Sequence, residues 1–247
     1  MKKIAVYTVI IGKYDTIKAP KYFNLLKKQA DFYCFTDQKI SSKNFKILKF
    51  NKEFDSPTKV SRYPKINSHE FFQNYEYSIY LDGSFQLICK DLNSLIKKHT
   101  SKGEIVRFRH PERNCLYEEG LICMEKKLDN KILIENQLDR YRVKGFPRNF
   151  GLGANGFIIR KNNPEVTRFN QKWWDEYINN SKRDQLSFDY ARWCTNIEVV
   201  YIEKSYFNGN GIVVKSNHRN HREPSNFMKP ILNLIKKICN KILHMWG

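Results

Sequence analysis

The sequence predicts an α/β domain, a mostly parallel sheet flanked by helices, and three observations carry the prediction. Short runs of β-forming residues recur at 4–11, 32–35, 77–81 and 104–108. The stretches between them can form helices, and this alternation belongs to βαβ units. Several runs end at a polar residue or glycine, as at Gly12, Thr36-Asp37 and Asp82-Gly83, which is how a strand delivers side chains to the carboxyl edge of such a sheet. A chain of 247 residues with 41% hydrophobic content suits one substantial core. Residues 1–223 are read as that domain and 224–247 as a basic amphipathic helix appended to it.

Residues 4–11, closed by Gly12, form a continuous apolar run and are expected to be a central strand buried on both faces. Residues 22–30 can make a helix, and 32–35 the next strand, ending at Asp37. That carboxylate can accept hydrogen bonds from a nucleobase or ribose, or simply cap a turn. Residues 45–50 give a third strand. Within 58–74 the chain carries Arg62, Lys65 and His69 around Pro64, which fits a helix opening near that proline. The three basic residues then share a face that can grip a diphosphate or merely meet solvent. Residues 77–81 deliver Asp82 to the sheet edge, where a carboxylate can hold a hard cation. Gly83 and Ser84 complete that corner, and the bland reading is a simple turn.

Asp91 caps a helix with Leu92, Leu95 and Ile96 inward. Residues 104–108 are a strand running into a charged segment with His110, Arg113, Glu118 and Glu119. These can bind an acceptor, or one carboxylate can act as general base; the alternative is an Arg–Glu network at a helix start. The glycine-rich stretch 150–156 precedes a strand at 157–160, so it is not a dinucleotide fingerprint, which requires a helix there. Asn163-Pro164 cap a helix burying Val166, Phe169, Trp173 and Tyr177. Asp184 and Gln185 open the next helix, either as a dipole-favoured start or aimed into the cleft to hold donor hydroxyls. Residues 197–203 are a late strand. His218 and His221 follow, either of which can complete a metal site that Asp82 leaves open.

Lys and Arg total 44 against 25 Asp and Glu, a formal net charge of +19. Such a surface favours phosphate-bearing substrates, anionic lipid or nucleic acid. Nucleic-acid binding is not expected, because the chain carries no such motif and its basic residues are scattered. Six cysteines without zinc spacing read as reduced thiols. No stretch reaches the roughly 20 apolar residues of a membrane span, and the N-terminal run lacks a cleavage signal, so a cytoplasmic protein is expected. Beyond Pro224, Ile231, Leu234, Ile235, Ile238 and Ile242 recur at helical spacing among lysines. Such a helix lies in a bilayer interface or docks on its own domain or a partner, and the inner face of the cell membrane is the expectation.

Together, Pro64-Lys65 with His69, Tyr80-Leu81-Asp82-Gly83 with Gln86-Leu87, His110 with Arg113 and Glu118-Glu119, and Arg183-Asp184-Gln185-Leu186-Ser187-Phe188 resemble one family. It is the TOD/mucilage-type glycosyltransferase-like domain, shared by bacterial surface-polysaccharide enzymes and plant Golgi proteins. The resemblance covers about residues 4–222 and implies a GT-A type, Rossmann-like fold. It also implies a nucleotide-diphospho-sugar donor, a glycan or lipid-linked acceptor and a divalent metal, manganese or magnesium. Asp184, Gln185, Glu118 and His110 are then the expected catalytic residues, and Asp37, Arg62, Lys65, His69, Asp82, Gly83 and Ser84 the donor site. Ser84 stands where the second acid of Asp-X-Asp would be, so Asp82 either ligates the metal with His218 or His221 or binds ribose without metal. The activity expected is hexosyl transfer onto a capsule- or lipopolysaccharide-type glycan. The alternatives are a non-catalytic binder of the same fold or a basic nucleic-acid-binding protein.

Overall fold

Every residue of β1 (Ile4–Ile10) is buried, because the strand lies inside a sheet covered on both faces. The computed structural model describes residues 3–12, 15–205 and 210–216. After β1 come α1 (Phe23–Leu26), β2 (Ala30–Thr36), β3 (Lys46–Lys49), α2 (Pro57–Ile66), α3 (Ser68–Phe71) and β4 (Tyr77–Asp82). The middle of the chain holds β5 (Phe85–Leu87), α4 (Leu92–Thr100), β6 (Ile105–Arg109), α5 (Leu116–Glu125) and α6 (Lys131–Val143). The last elements are β7 (Gly153–Lys161), α7 (Pro164–Ile178), α8 (Gln185–Thr195), β8 (Val199–Ile202) and β9 (Val213–Lys215).

The main sheet has the order β3-β2-β1-β4-β7-β6-β8. Only β7 runs against its neighbours, so the expected mixed, mostly parallel architecture is the one observed. Alternation along the strands divides the core in two. Val6, Ile79, Val106 and Ile159 face α4 and the small β5–β9 ribbon, whose Leu87 and Val213 join them. Tyr7, Tyr80 and Ile158 face α7 and α8, packing with Trp173 and Phe188. A third cluster, with Tyr117, Leu138 and Tyr190, seats the α5–α6 hairpin on α8. Among the described residues no helix is long and apolar enough to cross a membrane.

Three local expectations change. The helix expected at 22–30 is only α1, because Ala30 already pairs with Ile4 in the sheet. The helix expected to open at Pro64 opens at Pro57, where the Ser56 side chain accepts the Lys59 amide, and Pro64 sits in its last turn. It then breaks at Asn67 before α3. The appended helix at 224–247 lies outside the described residues.

Candidate active site

Six strands share a direction, so the carboxyl ends of β1, β4 and β6 meet the start of the reversed β7 at one edge. That edge opens into a cavity of about 580 Å³, lined among others by Ile10, Asp82, His110, Asn155 and Asp184. The β6–β7 register shifts at Arg107/Phe108. This bulge gives β7 extra residues there and turns Asn155 and Gly156 into the cavity.

Lys65 is the centre of the site. It is 1% exposed, and its Nζ lies 2.7 Å from Asp184 Oδ2 and 3.8 Å from Asp82 Oδ1. One turn earlier on α2, Arg62 places its Nε 3.3 Å from Asp184 Oδ1. The Lys65 carbonyl is pinned from below, accepting from the Tyr7 hydroxyl at 3.1 Å and Arg160 Nη2 at 3.0 Å. Neither anchor stands out in the sequence, where both read as core residues of two strands.

Asp184 does not cap its own helix; its side chain makes no cap hydrogen bond. Instead Trp173 Nε1 and Ser187 Oγ hold its carbonyl at 3.0 and 3.2 Å, and Asn155 Nδ2 donates to its Oδ2 at 3.4 Å. Burial alone would raise this carboxyl, but Lys65 and Arg62 hold it well below the usual carboxylate range. A carboxyl depressed in the folded state adds stability that is present above its unfolded pKa, about 4, and is lost as pH falls through its folded value. Asp184→Asn should therefore be much less stable than wild type near neutrality, and the gap should narrow below about pH 4. Urea unfolding of both proteins across acid pH measures it; a pH-independent gap would contradict this account.

Asp82 ends β4 with Oδ1 accepting from the Tyr80 hydroxyl. Burial and the Asp82 charge push that phenol well above its ordinary range, so it stays a donor. A Cβ on Gly156 would collide with the Phe85 ring and sit 3.2 Å from Asp82 Oδ2, so glycine keeps that oxygen open to the cavity. A Cβ on Gly83 would fall 2.9 Å from the Asp15 carboxylate. Gly83 thus lets Asp15, a cavity-lining acid that no sequence motif marks, come close to the strand end. Ser84, expected in the donor site, is buried and does not join the cavity lining; its carbonyl takes the Ser216 amide at 2.9 Å and hydroxyl at 3.1 Å, tying down β9.

The described residues do not make a cation site by themselves. No cluster of three or more metal-ligating side chains occurs among them, and one Asp82 oxygen already serves Tyr80 with the Lys65 ammonium beside it. His218 and His221 lie outside the described residues.

His110 lines the cavity. Its Nδ1 accepts the amides of Arg113 at 3.0 Å and Glu112 at 3.3 Å, which assigns the proton of the neutral ring to Nε2. That nitrogen lies 3.8 Å from Glu119 Oε2. Burial pulls His110 below the usual imidazole range, against the pull of Glu119, so the ring is held neutral, with Arg113 Nη2 3.4 Å from its Nε2. Glu119, buried and cavity-lining, is held by Arg113 Nε at 2.7 Å.

Glu118 is corrected, because it points away from the cavity toward Arg148 at 4.0 Å; its neighbour faces in. His69 is corrected too: the break at Asn67 carries it off the Arg62–Lys65 face, and its Nδ1 rests 3.3 Å from Asn170 on α7. Asp37 accepts the Gly12 amide at 2.9 and 3.1 Å and stands outside the cavity lining, a turn-holding role. Gln185 does line the cavity, and its Nε2 is buried with no hydrogen-bond partner among the described residues. A buried amide donor without a partner costs stability unless something supplies an acceptor.

The chain is 25% identical over 219 residues to the probable hexosyltransferase MUCI70 of Arabidopsis thaliana, covering 76% of this chain and 37% of that protein. It thus spans little more than a third of that relative. Among solved structures, it resembles the bifunctional glycosyltransferase WbbM at a TM-score of 0.48 and 10% identity, over 81% of this chain and 39% of that one. It also resembles the galactosyltransferase LgtC at 0.41 and 9%, over 75% and 70%. The family model of the TOD1/MUCI70 glycosyltransferase-like domain matches residues 1–210. That match takes in the seven-stranded sheet and every cavity-lining residue but Lys215, and the chain belongs to the TOD1/MUCI70 glycosyltransferase-like domain family.

Proposed function

We propose that the domain transfers a hexose from a nucleotide-diphospho-sugar to a hydroxyl of a cell-surface glycan. The observation that carries this reading is the buried Lys65 ammonium held between Asp184 and Asp82, carboxylates from distant parts of the chain that meet across one cavity. Lys65 and Arg62 supply fixed positive charge where the bond from the sugar to the diphosphate breaks, and such preorganised charge stabilises the departing group. Asp184 and Gln185 orient the donor hydroxyls, the Gln185 amide finding there the acceptor it lacks. The acceptor hydroxyl approaches past His110, whose Nε2–H orients it, and Glu119 takes its proton. The net charge of +19 favours work close to an anionic surface, in this reading the inner leaflet with its lipid-linked acceptors.

A panel of nucleotide sugars, each with and without manganese, tests the proposal through melting temperature and release of nucleoside diphosphate. A donor present at about 100 times its Kd should add about 2.7 kcal/mol, roughly 5–10 °C for a domain of this size. Asp82→Asn should lose most of that shift. Stabilisation without release would favour a binder over a transferase. If no nucleotide sugar raises the melting point or releases diphosphate, the proposal fails.

A further inference from the structure

The α5–α6 hairpin ends in a surface that no described element packs against. Leu121, Leu128, Ile132 and Leu133 are 58%, 37%, 65% and 46% exposed, and all four lie in the half of the hairpin nearest its tip. The inward residues of the same two helices, among them Tyr117, Cys123, Ile134, Leu138 and Tyr141, already fill the cluster against α8. The outward leucines and isoleucine therefore add nothing to the core.

The tip is rigid. Lys127 takes a left-handed conformation, φ 50°, to end α5, and Asn130 caps α6 by accepting the amides of Ile132 at 2.9 Å and Leu133 at 3.3 Å. Asp129 clamps the tip to the segment before α8, accepting from Ser181 Oγ at 2.7 Å and the Lys182 amide at 2.6 Å. A fixed apolar surface of this kind marks an interaction site more strongly than a loose loop does.

Charge selects the occupant. Lys126, Lys127 and Lys131 are exposed among the apolar side chains, with Lys182 beside them. Of the nearby acids, Asp129 is turned inward onto Ser181 and Lys182, and Glu135 lies 3.4 Å from Lys131. Glu125 stands exposed next to Lys126, and the Glu135 side chain is 44% exposed, so Lys126 and Lys127 carry most of the local positive charge. Apolar groups interleaved with lysines match the boundary between acyl chains and anionic headgroups. They match a protein partner's dry core poorly, because lysine is depleted there.

We infer that the tip of this hairpin docks on an anionic lipid bilayer, inserting Leu128, Ile132 and Leu133 while Lys126, Lys127 and Lys131 meet the headgroups. The position gives the contact a use. Lys182, clamped to the tip through Asp129, begins the run of residues through Gln185 that lines the catalytic cavity. The cavity mouth is thereby held against the surface that would carry a lipid-linked acceptor. This use rests on the proposed transferase reading, but the binding itself does not, and the test involves no turnover.

Co-sedimentation of the full chain with phosphatidylcholine vesicles, with and without phosphatidylglycerol, measures the contact. Binding should require the anionic lipid. The Leu128→Gln, Ile132→Gln, Leu133→Gln variant should bind on the order of tenfold more weakly, while Val143→Gln, at the far end of α6, should bind as wild type. Because these positions are exposed, the triple variant should keep the wild-type melting temperature. Independently, the Ile132→Trp variant should show a blue shift in its emission, beyond any seen in wild type, when anionic vesicles are added. Wild-type binding by the triple variant would assign the contact to residues 217–247 and overturn the proposal. So would an unshifted emission from the Ile132→Trp variant, or a concentration-dependent dimer abolished by the triple variant with no vesicle binding.

Discussion

Lys65→Met should lower donor turnover by about 10²–10³-fold and cost about 3–5 kcal/mol of stability. The two effects share an origin but separate under a second substitution. With the ammonium gone, Asp184 keeps Arg62 at 3.3 Å and the more distant charge of Arg183, and Asp82 loses the cation at 3.8 Å. A buried carboxylate stripped of its partner carries its desolvation cost uncompensated. Adding Asp184→Asn removes that charge and should regain much of the stability. Turnover should not return, since the double variant still lacks the Lys65 charge at the departing diphosphate and now also the Asp184 carboxylate that orients the donor. Lys65→Arg should not rescue it either. The niche is walled by the Tyr80 ring, with the ammonium 4.8 Å from its centroid, and a planar guanidinium is larger than an ammonium and carries its donors in a fixed fork. Urea unfolding and diphosphate release, measured on the three variants, decide the matter. Loss of stability with turnover intact would mean that Lys65 only holds the sheet edge together.

The sheet was legible because strands covered on both faces read as apolar or β-forming runs, nearly unbroken in β1 and interrupted in β2, β4 and β6 by Asp31, Ser78 and Arg107. Arg62, Lys65, Asp82, Asp184 and Gln185 were legible because their motifs set side chains at the ends of such strands or on one helical turn. What failed depended on single-residue phase. Helix α5 turns about 100° per residue, so choosing between Glu118 and Glu119 required knowing which of two adjacent positions faces inward. His69 was lost to a break at Asn67 that no glycine or proline announces at that position. The reversed direction of β7 and the pairing of β5 with β9 are long-range pairings, invisible to local pattern. Helix α6 buries Ile134, Gln137, Leu138 and Tyr141 at helical spacing, but the glutamine among them interrupts the apolar stripe. Asp15 sits in a loop, where only proximity to Gly83 reveals its place.

Beneath the site, Arg107 and Asp189 form an ion pair with both side chains 0% exposed, and Arg107→Met should lower the melting temperature by on the order of 10 °C. The guanidinium stacks 3.6 Å from the Phe188 centroid, and it occupies the space that a side chain at residue 153 would need, which is why a glycine stands there. Removing the arginine leaves Asp189 leaning on the Tyr201 hydroxyl at 3.3 Å, a poor exchange for a buried charge. Arg107→Met with Asp189→Leu removes both charges, and apolar replacements of a buried pair are often neutral or better. Stability should therefore return while the catalytic defect remains. Arg107 Nη1 donates to Asn155 Oδ1 at 2.6 Å, and only with that oxygen so engaged does Asn155 present its Nδ2 to Asp184. Without the arginine the amide is free to flip, turning an oxygen toward the Asp184 carboxylate and weakening the hold on its position. The double variant should show normal unfolding with turnover down about tenfold, roughly the worth of one hydrogen bond to a charged group. Asn155→Ala should reproduce that defect in the otherwise unaltered protein. A double variant with wild-type turnover would show that the bulged strand, rather than the arginine beneath it, fixes Asn155.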